Sequence, residues 1–141
     1  MALMHLVYLS SLVDISLESE IPKILESSVR NNPVSGITGM LLYCDGNFIQ
    51  VLEGETDAVL EVFDRICADC RHRDIFEVMR EPIAEREFAQ WSMGYNHIKE
   101  GVLRKFPNYV PFFNCRRDDP TFAINSSTAM ELLRQFALEN H

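Results

Sequence analysis

The sequence predicts an α+β fold: a mixed five-stranded sheet with two helices on one face and a helical extension at the C-terminus. Two patterns predict it. Apolar residues alternate over short runs and recur at helical spacing over longer ones, in the order strand, helix, strand, strand, helix, strand, strand. Turn-forming residues stand at the boundaries, above all Asn32-Pro33, Gly36 and Asp45-Gly46. That order is the ferredoxin-like one, in which both helices return over the same face of the sheet.

The elements follow in turn. Leu3 to Leu9 alternates Met4, Leu6 and Tyr8 on one face with Leu3, His5, Val7 and Leu9 on the other. Both faces are largely apolar, so this strand is expected at the centre, covered on both sides. Residues 10–16 read as a connection. Leu17, Ile21, Ile24, Leu25, Ser28 and Val29 recur at helical spacing, with Pro22 in the first turn, where its missing N–H is not needed. Gly36 to Cys44 and Asn47 to Glu53 are two strands, and Asp45-Gly46 between them is a hairpin signal. On the second, Phe48, Gln50 and Leu52 point one way and Ile49 and Val51 the other.

Thr56 is placed as the cap of the next helix, with Val59, Val62, Phe63, Ile66, Cys67 and Cys70 as its buried stripe and Arg71-His72-Arg73 at its C-terminal end. Ile75 to Ile83 and Trp91 to Ile98 complete the strands, with Trp91, Met93 and Tyr95 on one face. Residues 1–98 then form one domain and residues 99–141 an aromatic extension covering the open face of the sheet or forming an interface. Thr128-Ala129-Met130-Glu131 reads as a capping box opening its helix.

Composition narrows the function. The chain has 141 residues, 47% of them hydrophobic, enough for a real core. Its net charge is 13 − 21 = −8, which argues against a protein that tracks nucleic-acid phosphates. No stretch is long and apolar enough to span a membrane, and the start of the chain lacks a signal-peptide pattern, so the cytoplasm is expected. Cys44, Cys67, Cys70 and Cys115 fit reduced thiols. Cys67-x-x-Cys70 lacks a second ligand pair, so the two are read as small core residues rather than a zinc site. No phosphate-binding glycine loop or catalytic triad is visible, and no metal is expected.

What remains is a slot between the helices and the sheet. Tyr8, Gln50, Trp91 and Met93 can face it, and Asn31, Asn32, Arg65, Asp69, Arg71 and His72 lie at the helix ends around it. Tyr8 or Trp91 alone would be an amphipathic core residue. A buried glutamine and asparagine beside them require partners, since an unpaired buried amide costs roughly 1–3 kcal/mol. Planar donors and acceptors around an apolar slot suit a flat heteroaromatic ligand.

These residues carry a resemblance. Leu6-Val7-Tyr8-Leu9-Ser10, Ser28-Val29-Arg30-Asn31-Asn32-Pro33 followed by Gly36-Ile37-Thr38-Gly39, Phe48-Ile49-Gln50-Val51-Leu52-Glu53-Gly54, then Arg65, Asp69, Arg71-His72 and Trp91-Ser92-Met93 resemble a BLUF domain, the flavin-based blue-light sensor, over residues 1 to about 98. The resemblance implies FAD, held without a covalent bond. It implies Asn32, with Asn31 beside it, on the ring's pyrimidine edge, and Arg71 and His72 on the C2 carbonyl side. Ile24, Phe48 and Ile66 would be apolar walls, Ser28 a ligand-facing residue, and Arg65 and Asp69 contacts to the ribityl chain or phosphates. It further implies that Tyr8 donates an electron and then a proton through Gln50. The hydrogen bonds of Gln50 are then rearranged and the flavin absorbs slightly further to the red. Trp91 and Met93 would relay the change to a downstream protein or a second copy of the chain. A light-independent ligand-binding module and a flavin-dependent enzyme are the competing readings.

Overall fold

The structure, a computed structural model, describes residues 2–23, 36–90, 93–107, 113 and 126–137. The strands are β1 (Leu3–Leu12), β2 (Thr38–Cys44), β3 (Asn47–Glu55), β4 (His72–Ile83) and β5 (Gly94–His97); the helices are α1 (Thr56–Ala68), the short α2 (Glu100–Leu103) and α3 (Ser126–Ala137). The sheet runs β4-β1-β3-β2-β5. All neighbours are antiparallel except β2 and β5, so the sheet is mixed. This is the expected α+β architecture, but the centre of the sheet is β3; β1, expected there, is an interior strand between β4 and β3.

The alternation of β1 and β3 divides the core into two. Met4, Leu6, Tyr8 and Leu12 of β1 and Phe48 and Leu52 of β3 pack with Val59 and Phe63 of α1. Ile21 joins that layer, so the described start of the first helix lies on the same face as α1. Val7, Leu9, Ile49 and Val51 pack on the opposite face against Met130, Leu132, Leu133 and Phe136 of α3. The C-terminal helix thus covers the otherwise open side of the sheet. Each fully buried leucine in that layer stabilises by about 1.5–3 kcal/mol.

Local physics shifts several boundaries from those the sequence suggests. β1 runs on to Leu12, because Ser11 pairs with Asn47 and Leu12 with His72 across the sheet. Residues 15–20 form a 3-10 helix whose Asp14 carboxylate accepts from the Ser16 N–H at 2.9 Å, and helical geometry begins at Ile21, which puts Pro22 in the first turn. Thr56 is not the cap of α1. Glu55 occupies that position without a side-chain bond, while the Thr56 N–H and hydroxyl both go to the Ala2 carbonyl. α1 stops at Ala68, because Asp69 turns extended (φ −75°, ψ 119°), and His72 and Arg73 belong to β4 rather than to the helix end.

The same stop corrects the cysteine assignment. Cys67 and Cys70 are exposed rather than core, because the last turn of α1 passes beside an open cleft instead of over the sheet. α3 begins at Ser126, which leaves Thr128 inside its first turn rather than capping it. Asp45 (φ 48°) and Gly46 (φ 88°) take up the left-handed backbone of the two-residue hairpin. No helix of the described residues is long and apolar enough to cross a membrane.

Candidate functional site

Strand register creates the site. Tyr8 of β1 lies directly opposite Gln50 of β3, which lies opposite Leu41 of β2. All three side chains emerge on the α1 face. The Tyr8 hydroxyl donates to Gln50 Oε1, and both residues are buried, at 3% and 5% exposure. The Tyr8 ring packs on Phe63 of α1 with centroids 5.4 Å apart. Gln50 Nε2 donates to Met93 Sδ at 3.2 Å, and Met93 is buried in the same layer. Room for Met93 depends on Gly39, where a Cβ would stand 3.4 Å from its methyl and only 2.0 Å from the Val51 carbonyl oxygen.

A cleft opens beside this triad. Its space, mouth included, is about 560 Å³, and it is lined by Tyr8, Ser10, Leu12, Ile21, Leu41, Phe48, Gln50, Ile66, Asp69 and Arg71. Most of the wall is apolar. Asp69 and Arg71 supply the charge: Asp69 accepts from Arg71 Nε at 3.0 Å and Nη2 at 2.6 Å, so the guanidinium is fixed in direction. Its Nη1 takes no part in that pair.

Of the residues singled out from sequence, Tyr8, Gln50, Phe48, Ile66, Asp69 and Arg71 come together around the cleft, with Met93 behind Gln50. Arg65 does not line it. It lies on the exposed flank of α1, paired with Glu61 at 2.5 Å. The backbone of His72 pairs with Leu12, and its side chain is outside the described set. Ile24, Ser28, Asn31, Asn32 and Trp91 lie outside the described residues. Ser10, Leu12, Ile21 and Leu41 also line the cleft and were not among the residues singled out from sequence. The signal for the first two was the same alternation that marks Tyr8, continued two and four residues further.

The electrostatics favour a protonated phenol. Burial pushes the Tyr8 hydroxyl above its ordinary value of 10.0, with Cys67 and Asp69 adding to the effect. Tyr43 is raised too, by burial and by donating to Glu18 at 2.5 Å, and burial pushes Tyr95 up to about 12. In the unfolded chain these phenols ionise near pH 10. Above that pH the unfolded state holds fewer protons than the folded one, and stability falls. The contribution is complete below about pH 10 and is lost as pH climbs towards the folded values. The urea midpoint should therefore decline steeply above about pH 10, and a midpoint unchanged at about pH 11 would contradict the burial of these hydroxyls.

The arrangement fits a flat, polar-edged ring. The Gln50 amide carries two N–H donors, and among the described residues only the Met93 sulfur takes one. The second is a buried donor beside an apolar-walled cleft of the size that small ligands occupy. A ring with an acceptor at its edge, seated in the cleft, would satisfy such a donor.

Comparison with known proteins identifies the family. Residues 3–94 match the family described as BLUF, sensors of blue-light using FAD. The dark-state structure of BlrB, a BLUF protein, superposes with a TM-score of 0.78 at 31% identity, covering 98% of this chain and 97% of that one. BlsA in its photo-activated state gives 0.76 at 28% identity over 96% and 95%. The Escherichia coli blue light- and temperature-regulated antirepressor BluF is 32% identical over 94% of this chain and 32% of its own length. The photoactivated adenylate cyclase subunit beta of Euglena longa is 37% identical over 62% of this chain, which spans 10% of that protein. The chain belongs to the BLUF family of blue-light sensors that use FAD.

Proposed function

We propose that this chain is a light-dependent switch rather than an enzyme, with Tyr8 and Gln50 as its moving parts. The observation that carries the reading is the buried Tyr8-to-Gln50 hydrogen bond, which sets a protonated phenol against an amide at the cleft wall whose second N–H has no partner among the described residues. FAD, when bound, supplies the blue-light absorption and the electron-accepting ring. The residues of the chain do the rest. Phe48, Ile66, Ile21 and Leu12 line the cleft and would keep water from a ring seated there. The Asp69–Arg71 pair offers charge at the rim, and Asn31, Asn32, Ile24, Ser28 and His72 complete the cofactor contacts as the family pattern implies.

Tyr8 holds its proton against Gln50 and releases it along that bond when oxidised. Gln50 can then exchange donor and acceptor roles, by rotation that swaps its oxygen and its NH2 group, by a proton moving from nitrogen to oxygen, or by both. Met93 feels the exchange directly, because it accepts from Nε2. Met93 precedes β5, which runs beside β2 and joins residues 99–141. We assign residues 1–98 to sensing and 99–141 to output, with a cytoplasmic partner protein or a second copy of the chain as receiver and no nucleic acid or membrane involved.

The test is the absorption spectrum of purified protein before and after blue light, with the pigment released by denaturation. Fully loaded protein should yield FAD at near one equivalent and show a small red shift that decays in the dark. A colourless protein that takes up no added FAD, or a spectrum indifferent to light, would overturn the reading.

A further inference from the structure

Glu53 lies on β3 three residues beyond Gln50, on the α3 face, and is 1% exposed. A carboxylate so buried costs several kcal/mol unless its oxygens are satisfied. Oε1 accepts from the Thr38 hydroxyl at 2.8 Å and the Phe88 N–H at 2.7 Å, and Oε2 accepts from the Glu87 N–H at 3.0 Å. Arg86 closes the arrangement. Its Nη1 donates to Thr38 Oγ1 at 2.9 Å and to the Glu53 backbone oxygen at 3.2 Å. Residues 86–88 are thereby folded over the ends of β2 and β3.

The far side of that segment is fastened to α3. Arg134 donates to both oxygens of Glu87, from Nε at 2.8 Å and Nη2 at 2.7 Å. Phe88, 2% exposed, packs in the layer formed by Leu133 and Phe136. An unbroken set of contacts therefore runs from β3, through one buried carboxylate, to the C-terminal helix. It leaves the sheet on the face opposite the cleft and does not pass through Met93 or β5.

We infer that Glu53 is a positioning residue that couples the strand carrying Gln50 to α3 through residues 86–88. The inference rests on the reading of Gln50 as the switch. Any displacement of β3 relative to its neighbours must either carry residues 87 and 88 with it or break buried hydrogen bonds. Phe88 and the Glu87–Arg134 pair then pass the displacement to α3. Coupling is reciprocal in equilibrium free energy, so loosening the α3 end should also shift the relative stability of the dark and switched states, and dark recovery reads that shift.

Two variants of the full-length, FAD-loaded protein test it. Glu53→Gln keeps the shape but turns one acceptor into a donor facing another donor. Arg134→Ala cuts the far end at a half-exposed ion pair, where the cost to stability is small. Wild type should show a light-minus-dark difference in hydrogen exchange over residues 126–137. Both variants should keep the red shift, lose that difference, and change the dark-recovery rate by about fivefold or more. The double variant should recover no differently from Glu53→Gln alone, because both cut one path. A normal red shift with no exchange difference in α3 of wild type, or with the difference intact in either variant, overturns the coupling alone. If Glu53→Gln does not fold, Arg134→Ala decides by the same measurements. An absent red shift in wild type, or one that survives Gln50→Leu, overturns the switch reading and the coupling with it.

Discussion

A Gln50→Leu protein should take up FAD, be as yellow as wild type, and give no red-shifted product under blue light. Leucine occupies roughly the volume of glutamine and suits a strand position already flanked by Leu41 and Tyr8, so the sheet should hold. What disappears is chemistry: the acceptor for the Tyr8 hydroxyl, the donor to Met93 and the second N–H at the cleft wall. The unpaired phenol costs about 1–3 kcal/mol, a fraction of the stability of a domain this size. Tyr8→Phe removes the other half of the bond and should likewise bind pigment and lose the normal photocycle. A light-minus-dark spectrum with wild-type amplitude and recovery in loaded Gln50→Leu protein would eliminate the switch, whatever the cofactor content.

The largest effect on stability should come from the opposite face. Phe136 is 1% exposed and meets Phe106 edge-on at 5.7 Å within the layer that joins α3 to the sheet. Truncation to alanine leaves a cavity that the surrounding leucines cannot fill, at a cost of about 3–5 kcal/mol. The urea midpoint should drop by about 2 M. Val102→Ala, at an exposed position, should move stability by no more than about 0.5 kcal/mol. Because the cleft lies across the sheet, Phe136→Ala protein that is still folded should retain FAD and the red shift. An unchanged midpoint would show that α3 does not complete this core.

The faces of the strands were legible from alternation alone. Tyr8 and Gln50 could be assigned to one side of the sheet because apolar neighbours two residues away share it. Their direct opposition could not be read, since it depends on a pairing across 42 residues that no local pattern encodes. Arg65 shows the limit on helices. It is adjacent to Ile66, which does line the cleft, but one residue turns the side chain by about 100° and carries it into solvent. Cys67 continues the apolar stripe in sequence, yet a stripe is buried only where something lies beneath it, and the helix end overhangs the cleft. Glu53 was the hardest. A glutamate at the end of an apolar strand reads as the point where the strand meets water, and only the return of residues 86–88 reveals that it is enclosed.

The hairpin at Asp45-Gly46 has a kinetic consequence. Its two strands are joined by two residues and can zip together within about 1–10 μs, before any other part of the sheet. β1 must then find β3 across a chain separation of some forty residues, and β4 must find β1 across some seventy, so these pairings pay much larger loop-closure costs and come later. Gln50 is therefore in place on its strand early, while Tyr8 reaches it only when β1 docks. The Tyr8–Gln50 bond is a late product of assembly, and a nascent or fragmentary chain that holds only the hairpin has half of it.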